Sequence, residues 1–407
     1  MVRSPRFPRI RIALTIAGCL SVFLLLMTPE TELFESSFGN PYGMFGPPPP
    51  PPTITIESDG SVDPYTRAIV KWGRTYNFSE DIANYTILIL CSDVVVNGKG
   101  FTLQENGIYA GITLSGCSNV TVKNLVIRQA GGAIILTNSP RNSIAGNVIV
   151  GTSDALYAIS LDRNSTGNTI SKNTIFGSRG IEIRSSSNTI SENRITNGGG
   201  ILLYGGGGLP LSGSYNTVFE NEFTGCWVAF DIMEGYYNSF HANNVSNCTI
   251  GVCAANIQKE WEYRSFGSEV ANNRFYHNNF VNNSQQVRSD YYLDSGYGGA
   301  DILYNDNFWD NGTEGNYWSD YNGTDANGDG IGDTPYPIFS NRTDRYPLIC
   351  PFDTKNNTKV IPSPSPQMIP VEQQPEPFPW SSFAAVSVAF AAVVAVSAVV
   401  YVKKRKR

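Results

Sequence analysis

The residues able to do chemistry are few and unevenly placed. The densest group is Asp325-Ala326-Asn327-Gly328-Asp329-Gly330-Ile331-Gly332-Asp333. Asp325, Asn327, Asp329 and Asp333 place oxygen donors at the first, third, fifth and ninth positions of a calcium-type loop, Gly330 supplies the sharp turn, and Ile331 offers a carbonyl. The bidentate acid that normally closes such a loop is missing, because Tyr336 stands there. Ligation would then shift to another carboxylate such as Asp320. The spacing predicts a structural calcium (Ca2+) site, with a metal-free Asx-rich turn as the alternative.

A second chemistry, cleavage of a glycosidic bond, needs two facing carboxylates. Glu182 and Asp231 each follow an inward apolar residue of a short alternating strand, so both face outward. They lie two repeats apart, about 9.6 Å at parallel-strand spacing, which approaches the ~6.5–9.5 Å of inverting glycosidases. Ser160 and Leu202 share their row, and the next row carries Asp162, Arg184 and Tyr204, read as an ion pair with a cation–aromatic neighbour. Outward carboxylates are common in an acidic protein, so no catalytic residue is assigned and the pair stands only as a candidate.

Transition-metal chemistry has less to work with. The two histidines, His241 and His277, each sit beside an inward aromatic, and the five methionines (Met1, Met27, Met44, Met233, Met368) do not cluster. An aromatic crowd (Tyr291, Tyr292, Tyr297, Tyr304, Trp309, Tyr317, Trp318, Tyr321) lies among Asn, Asp and Gly. It reads as a plug for an exposed sheet end or as a platform for sugar rings.

The elements that position these residues are repeats. An apolar-x-x-Asn-x-apolar pattern recurs from Ile144, Ile170, Ile190, Val218, Phe240 and Val270, at spacings of 26, 20, 28, 22 and 30. A second series, Ile112, Ile134, Ile159, Ile181, Ile201, Phe230 and Val252, interleaves with it. Such a repeat cannot bury a core alone but can when stacked. The pattern predicts an all-β chain, a right-handed parallel β-helix (solenoid), with asparagine ladders at the turns. Stacking places Cys91 over Cys117 and Cys226 over Cys248, within disulfide reach, and both bridges are expected in an oxidising exterior; free buried thiols are the alternative.

The ends differ from the body. Four arginines precede an apolar run at 12–27, read as a signal peptide or N-terminal anchor helix (1–27), followed by a Pro-rich linker (28–52). The β-helix is assigned to 53–310, an aromatic cap with the calcium-like loop to 311–350, and a Pro-rich stalk to 351–379. Residues 380–402 form an uncharged stretch long enough for a C-terminal transmembrane helix, and the basic tail 403–407 places its end in the cytoplasm. Nine of the 29 basic residues lie at these two ends, so the body is far more acidic than the overall charge of −6. Such a body repels phosphate backbones, which excludes nucleic acid as a partner. Asn-x-Ser/Thr sequons fall throughout the body, consistent with a glycosylated exterior.

The Asn-x-Ile repeats, the stretch Cys117-Ser-Asn-Val-Thr-Val-Lys-Asn124 and Gly315-Asn-Tyr-Trp-Ser-Asp-Tyr321 resemble the NosD-like periplasmic β-helix family. The resemblance covers roughly residues 53–351 and implies an exported β-helix of the carbohydrate-binding and sugar-hydrolase type. It also implies a copper-processing role, for which His and Met are scarce. The leading expectation is a membrane-anchored, extracytoplasmic protein that binds surface polysaccharide. The alternatives are a polysaccharide lyase, hydrolase or epimerase, an accessory protein in copper-enzyme maturation, and a purely structural surface protein.

Overall fold

A computed structural model describes residues 51–105, 107, 109–128, 130–151, 157–205, 212–254, 270–288, 307–339 and 342–360. Residues 1–27, most of the linker, the stalk beyond 360, segments 380–402 and 403–407, and Tyr291, Tyr292, Tyr297 and Tyr304 lie outside them. Among the described residues no helix is long and apolar enough to cross a membrane.

Each coil contributes three short strands, as in Thr121–Lys123, Val126–Arg128 and Gly132–Thr137. Strands of successive coils pair in parallel, so the described residues form three long sheets of 11, 10 and 10 strands. This is a parallel β-helix. Inward positions are β-branched or aromatic, side chains that suit a pleated, buried surface. Ile112, Ile134, Ile159, Ile181, Ile201, Phe230 and Val252 stack in one register line of the first sheet, as the spacing predicts, and Ile87 extends that line by one coil. All eight are buried, each worth ~1.5–3 kcal/mol of transfer free energy.

The corners are held by amides. At one corner, Asn147, Asn173, Asn193, Asn221, Asn243, Asn278 and Asn316 form a ladder in which each Oδ1 accepts the backbone N–H of the asparagine one coil earlier. Asn142, Asn168, Asn188, Asn216, Asn238, Asn273 and Asn307 do the same at the other. The left-handed residue is not the ladder asparagine but the one before it: Lys172, Glu192, Glu220 and His277 at one corner, Ser187, Tyr215 and Tyr237 at the other. That residue reverses the chain and turns the next side chain inward, where its amide replaces the missing strand partner.

Both ends of the stack are closed. At the start, Val62–Asp63 and Ile69–Trp72 pair antiparallel with Thr53–Ile56 and Thr75–Phe78. At the finish, Tyr317–Trp318 adds a last strand to the third sheet, so the solenoid continues past residue 310. Trp309 stacks on Phe275 at 4.6 Å, Trp318 on Phe280 at 4.5 Å, and Tyr336 on Trp318 at 4.5 Å. Trp309 and Trp318 are fully buried, so these members of the aromatic crowd are a plug and not a platform. The final ladder asparagine, Asn316, donates its backbone N–H to Asp344 at 2.7 Å.

The expected bridges are not formed in the structure, where Cys91, Cys117, Cys226 and Cys248 are thiols. Cys117 Sγ faces the Ile89 carbonyl and the Ser139 hydroxyl. Cys226 and Cys248 do stack in adjacent coils. Cys248 Sγ accepts the Cys226 backbone N–H at 3.3 Å, acting as the corner acceptor that asparagine provides elsewhere. Contact with the Cys248 thiol, together with burial, pushes the Cys226 thiol far up.

Candidate functional site: an aromatic groove on the second sheet

The outward rows of the second sheet change character along the stack. In early coils one row carries Thr169 and Thr189; further on the register places Thr217, Ser239 and Arg274 there, with Phe308 bridged next. The parallel row runs Ser171, Ser191, Phe219, His241 and Tyr276. Phe219, His241 and Tyr276 form a continuous stack, with centroids 5.3 and 5.1 Å apart. At the adjacent corner Tyr215 and Tyr237 stack at 5.2 Å, both in the left-handed conformation. A bulky residue pays for that conformation by ~1–2 kcal/mol.

The later members of these rows, Ser239, Arg274, Phe308 and Tyr276, border with Tyr237 a groove of about 650 Å³. Tyr237 and Phe308 are 50% and 45% exposed, large apolar faces that folding has left in water. Between them lie Ser239, Asn272 and Arg274, with Asn311 and Thr313 on the rim. Asn311 Oδ1 is already engaged, accepting from the backbone of Thr313 and Glu314. The combination of flat rings with short hydroxyl and amide groups suits a ligand with apolar faces and polar edges. Sequence reading missed this groove, because Tyr237, Tyr276 and Phe308 come from a corner, a strand and a bridge at unequal spacing. The usable signal was the change from Thr and Ser to aromatic residues within otherwise constant rows.

The carboxylate candidates lie on the first sheet. Ser160, Glu182, Leu202 and Asp231 do share one register line. Glu182 is buried, and both its oxygens are engaged: Oε2 by the Ser160 hydroxyl at 2.7 Å, Oε1 by Arg184 at 2.8 Å. Leu202, also buried, stands between it and Asp231. Arg184 lies over the Tyr204 ring at 5.5 Å, as expected. Its ion partner is Glu182 and not Asp162, whose carboxylate instead folds onto Asn138, Asn164 and Ser165.

In the 325–333 loop, Asp325 accepts the backbone N–H groups of Gly328, Asp329 and Gly330, and Asp329 accepts that of Ile331. Asn327 Oδ1 accepts from Asp329, while Asp333 turns back to Thr324 and Ala326. Asp320 accepts the Tyr336 hydroxyl. Among the described residues no group of three or more His, Cys, Asp or Glu converges as a metal-binding set.

The family described as periplasmic copper-binding protein (NosD) matches residues 92–323, more than half of the chain. The chain belongs to the NosD family. No curated protein matches it in a sequence search. Among solved structures, the catalytic domain of a GH87 α-1,3-glucanase bound to nigerose is similar at 13% identity and a TM-score of 0.28, covering 58% of this chain and 60% of that one. The tailspike of E. coli bacteriophage HK620 bound to a pentasaccharide is similar at 11% identity and a TM-score of 0.34, covering 51% and 42%. The chain thus spans less than two thirds of either.

The NosD description raises the question of copper. His241 is sandwiched between Phe219 and Tyr276. His277 Nε2 bonds Glu314 at 2.8 Å while its ring stacks on Phe352 at 4.1 Å. Burial holds both imidazoles below their ordinary value. The two imidazoles lie near enough to act on each other electrostatically, but among the described residues no group of three or more His, Cys, Asp or Glu gathers round them, and a carboxylate and aromatic rings are poor company for copper.

Proposed function

We propose that this NosD-family protein is a carbohydrate-binding β-helix, whose second-sheet groove receives a stretch of polysaccharide. The observation that carries the reading is the pairing of half-exposed Tyr237 and Phe308 with Ser239 and Asn272, whose side chains make no hydrogen bond among the described residues. Aromatic faces take the C–H side of a pyranose, and the polar groups take its hydroxyls. The coil repeat of ~4.8 Å is close to the length of one sugar unit, so successive coils can address successive sugars. Binding without cleavage is favoured because Glu182 is locked by Ser160 and Arg184.

The test is calorimetric titration of the full chain with defined oligosaccharides, alongside the Tyr237→Ala variant. Loss of one stacking face weakens binding by about tenfold, equivalent to ~1.4 kcal/mol. Unchanged affinity in the variant, or shortening of the oligosaccharide by the wild type, would overturn the reading.

A further inference from the structure

Arg274 has no ion pair among the described residues, and its only ring contact is with Phe308, at 5.4 Å. It is exposed and lies inside the groove. Elsewhere on the outward strand rows Arg194 pairs with Glu222, and at corners Lys172 pairs with Glu192; what sets Arg274 apart from the other cations is its place in the groove. Its strand neighbour Ser239 is uncharged, and no described residue lining the groove is acidic.

Among the described residues, the two carboxylates of the segment that carries Phe308, Asn311 and Thr313 are both neutralised elsewhere. Asp310 is held by Arg345 through two contacts, at 2.6 and 2.9 Å. Glu314 is held by Lys359 at 3.1 Å and by His277 at 2.8 Å. Among the described residues lining the groove, Arg274 is thus the one charge, set in an acidic protein of net −6. Its position over the Phe308 ring favours conformers that keep the guanidinium in the groove and lowers the entropy lost when a ligand binds. A planar, five-donor cation with a free edge is matched by a carboxylate.

We infer that the groove selects acidic saccharides, with Arg274 receiving the carboxylate of a uronic acid unit stacked beside Tyr237. The inference rests on the carbohydrate-binding reading and narrows it to one substrate class. A single cation makes the recognition local: one acid group is read per groove, and the acidic remainder of the surface repels a polyanion elsewhere.

The experiment uses the full chain, made in a host that does not glycosylate, because Asn311 heads a sequon on the rim. Three probes are titrated: a galacturonic acid hexasaccharide, its methyl ester, and a neutral glucose hexasaccharide. The acid is expected to bind about tenfold more tightly than its ester. Arg274→Gln should erase that preference, so that acid and ester bind alike, and Arg274→Lys should restore part of it. Thermal unfolding of each variant checks that the fold is intact. Equal affinity for acid and ester, with both lost in Tyr237→Ala, overturns the acidic preference and leaves the groove as a neutral sugar site. A preference that survives Arg274→Gln also overturns it. Binding of none of the probes, or binding indifferent to Tyr237→Ala, overturns the groove reading as well.

Discussion

At the scale of the residue, the asparagines do more than turn the chain. Asn193 Oδ1 accepts both the backbone N–H and the side-chain Nδ2 of Asn173, and its own amide donates to Asn221 and to the Ile170 carbonyl. Asn193→Ala therefore leaves a buried N–H and a buried carbonyl without partners. The expected cost is about 2–4 kcal/mol, read as a lower denaturant midpoint, whereas Lys172→Ala at the exposed corner should stay within about 0.5 kcal/mol. Equal effects at the two positions would remove the ladder from the account. The ladder itself was legible, because Asn recurs at one place in each repeat. Which residue adopts the left-handed conformation was not, since Lys172, Glu192 and Glu220 carry no turn signature in their own type. The groove was hidden for a related reason: Tyr237 belongs to a corner series in which other coils use Gly167, Ser187 and Asn272.

At the scale of the element, the end of a ladder is its weak point, because the last amide needs an acceptor that no further coil supplies. Asp344 fills that place. Its Oδ2 accepts the Asn316 backbone N–H and Trp318 Nε1, at 2.7 and 2.9 Å, and its Oδ1 accepts the Tyr346 N–H at 3.1 Å. Arg345, beside it in sequence, turns to Asp310 instead. Burial pushes the Asp344 carboxyl up to about 7, against the pull of these donors. A carboxyl whose folded value lies above its unfolded one contributes stability at low pH that is lost as pH rises through the folded value. The half-buried histidines oppose this, since their lowered values favour folding as pH rises. The informative quantity is thus a difference between proteins. From pH 4.5 to pH 8, wild type should lose stability relative to Asp344→Asn; parallel stability curves would show that Asp344 does not titrate in this range. This residue was illegible in the sequence because it breaks the repeat it completes.

At the scale of the whole molecule, each coil touches mainly the coils before and after it, so stability is close to a sum of coil and interface terms. The core changes along that line. Early coils stack Ile and Val, later ones stack Phe223, Phe230, Phe240, Phe275 and Phe280, and the stack ends on Trp309 and Trp318. The graded increase in ring size lets the plug cover the last apolar rows, which a chain of identical repeats would expose to water. It also places the groove beside the plug, where Phe308 links the second sheet to the capping segment. A defect in the plug should therefore propagate inward from that end only. Trp318→Ala leaves a cavity against Phe280 and Tyr336 and costs about 3–5 kcal/mol locally. In hydrogen exchange, amides of Arg274–Tyr276 and Asn279–Val281 should lose protection first, while Thr121–Lys123 and Val148–Val150 stay unchanged. Ligand affinity at the groove should fall with them, although Trp318 does not line it. A uniform loss of protection across all coils would instead mark the solenoid as one cooperative unit, and the plug as part of its global stability.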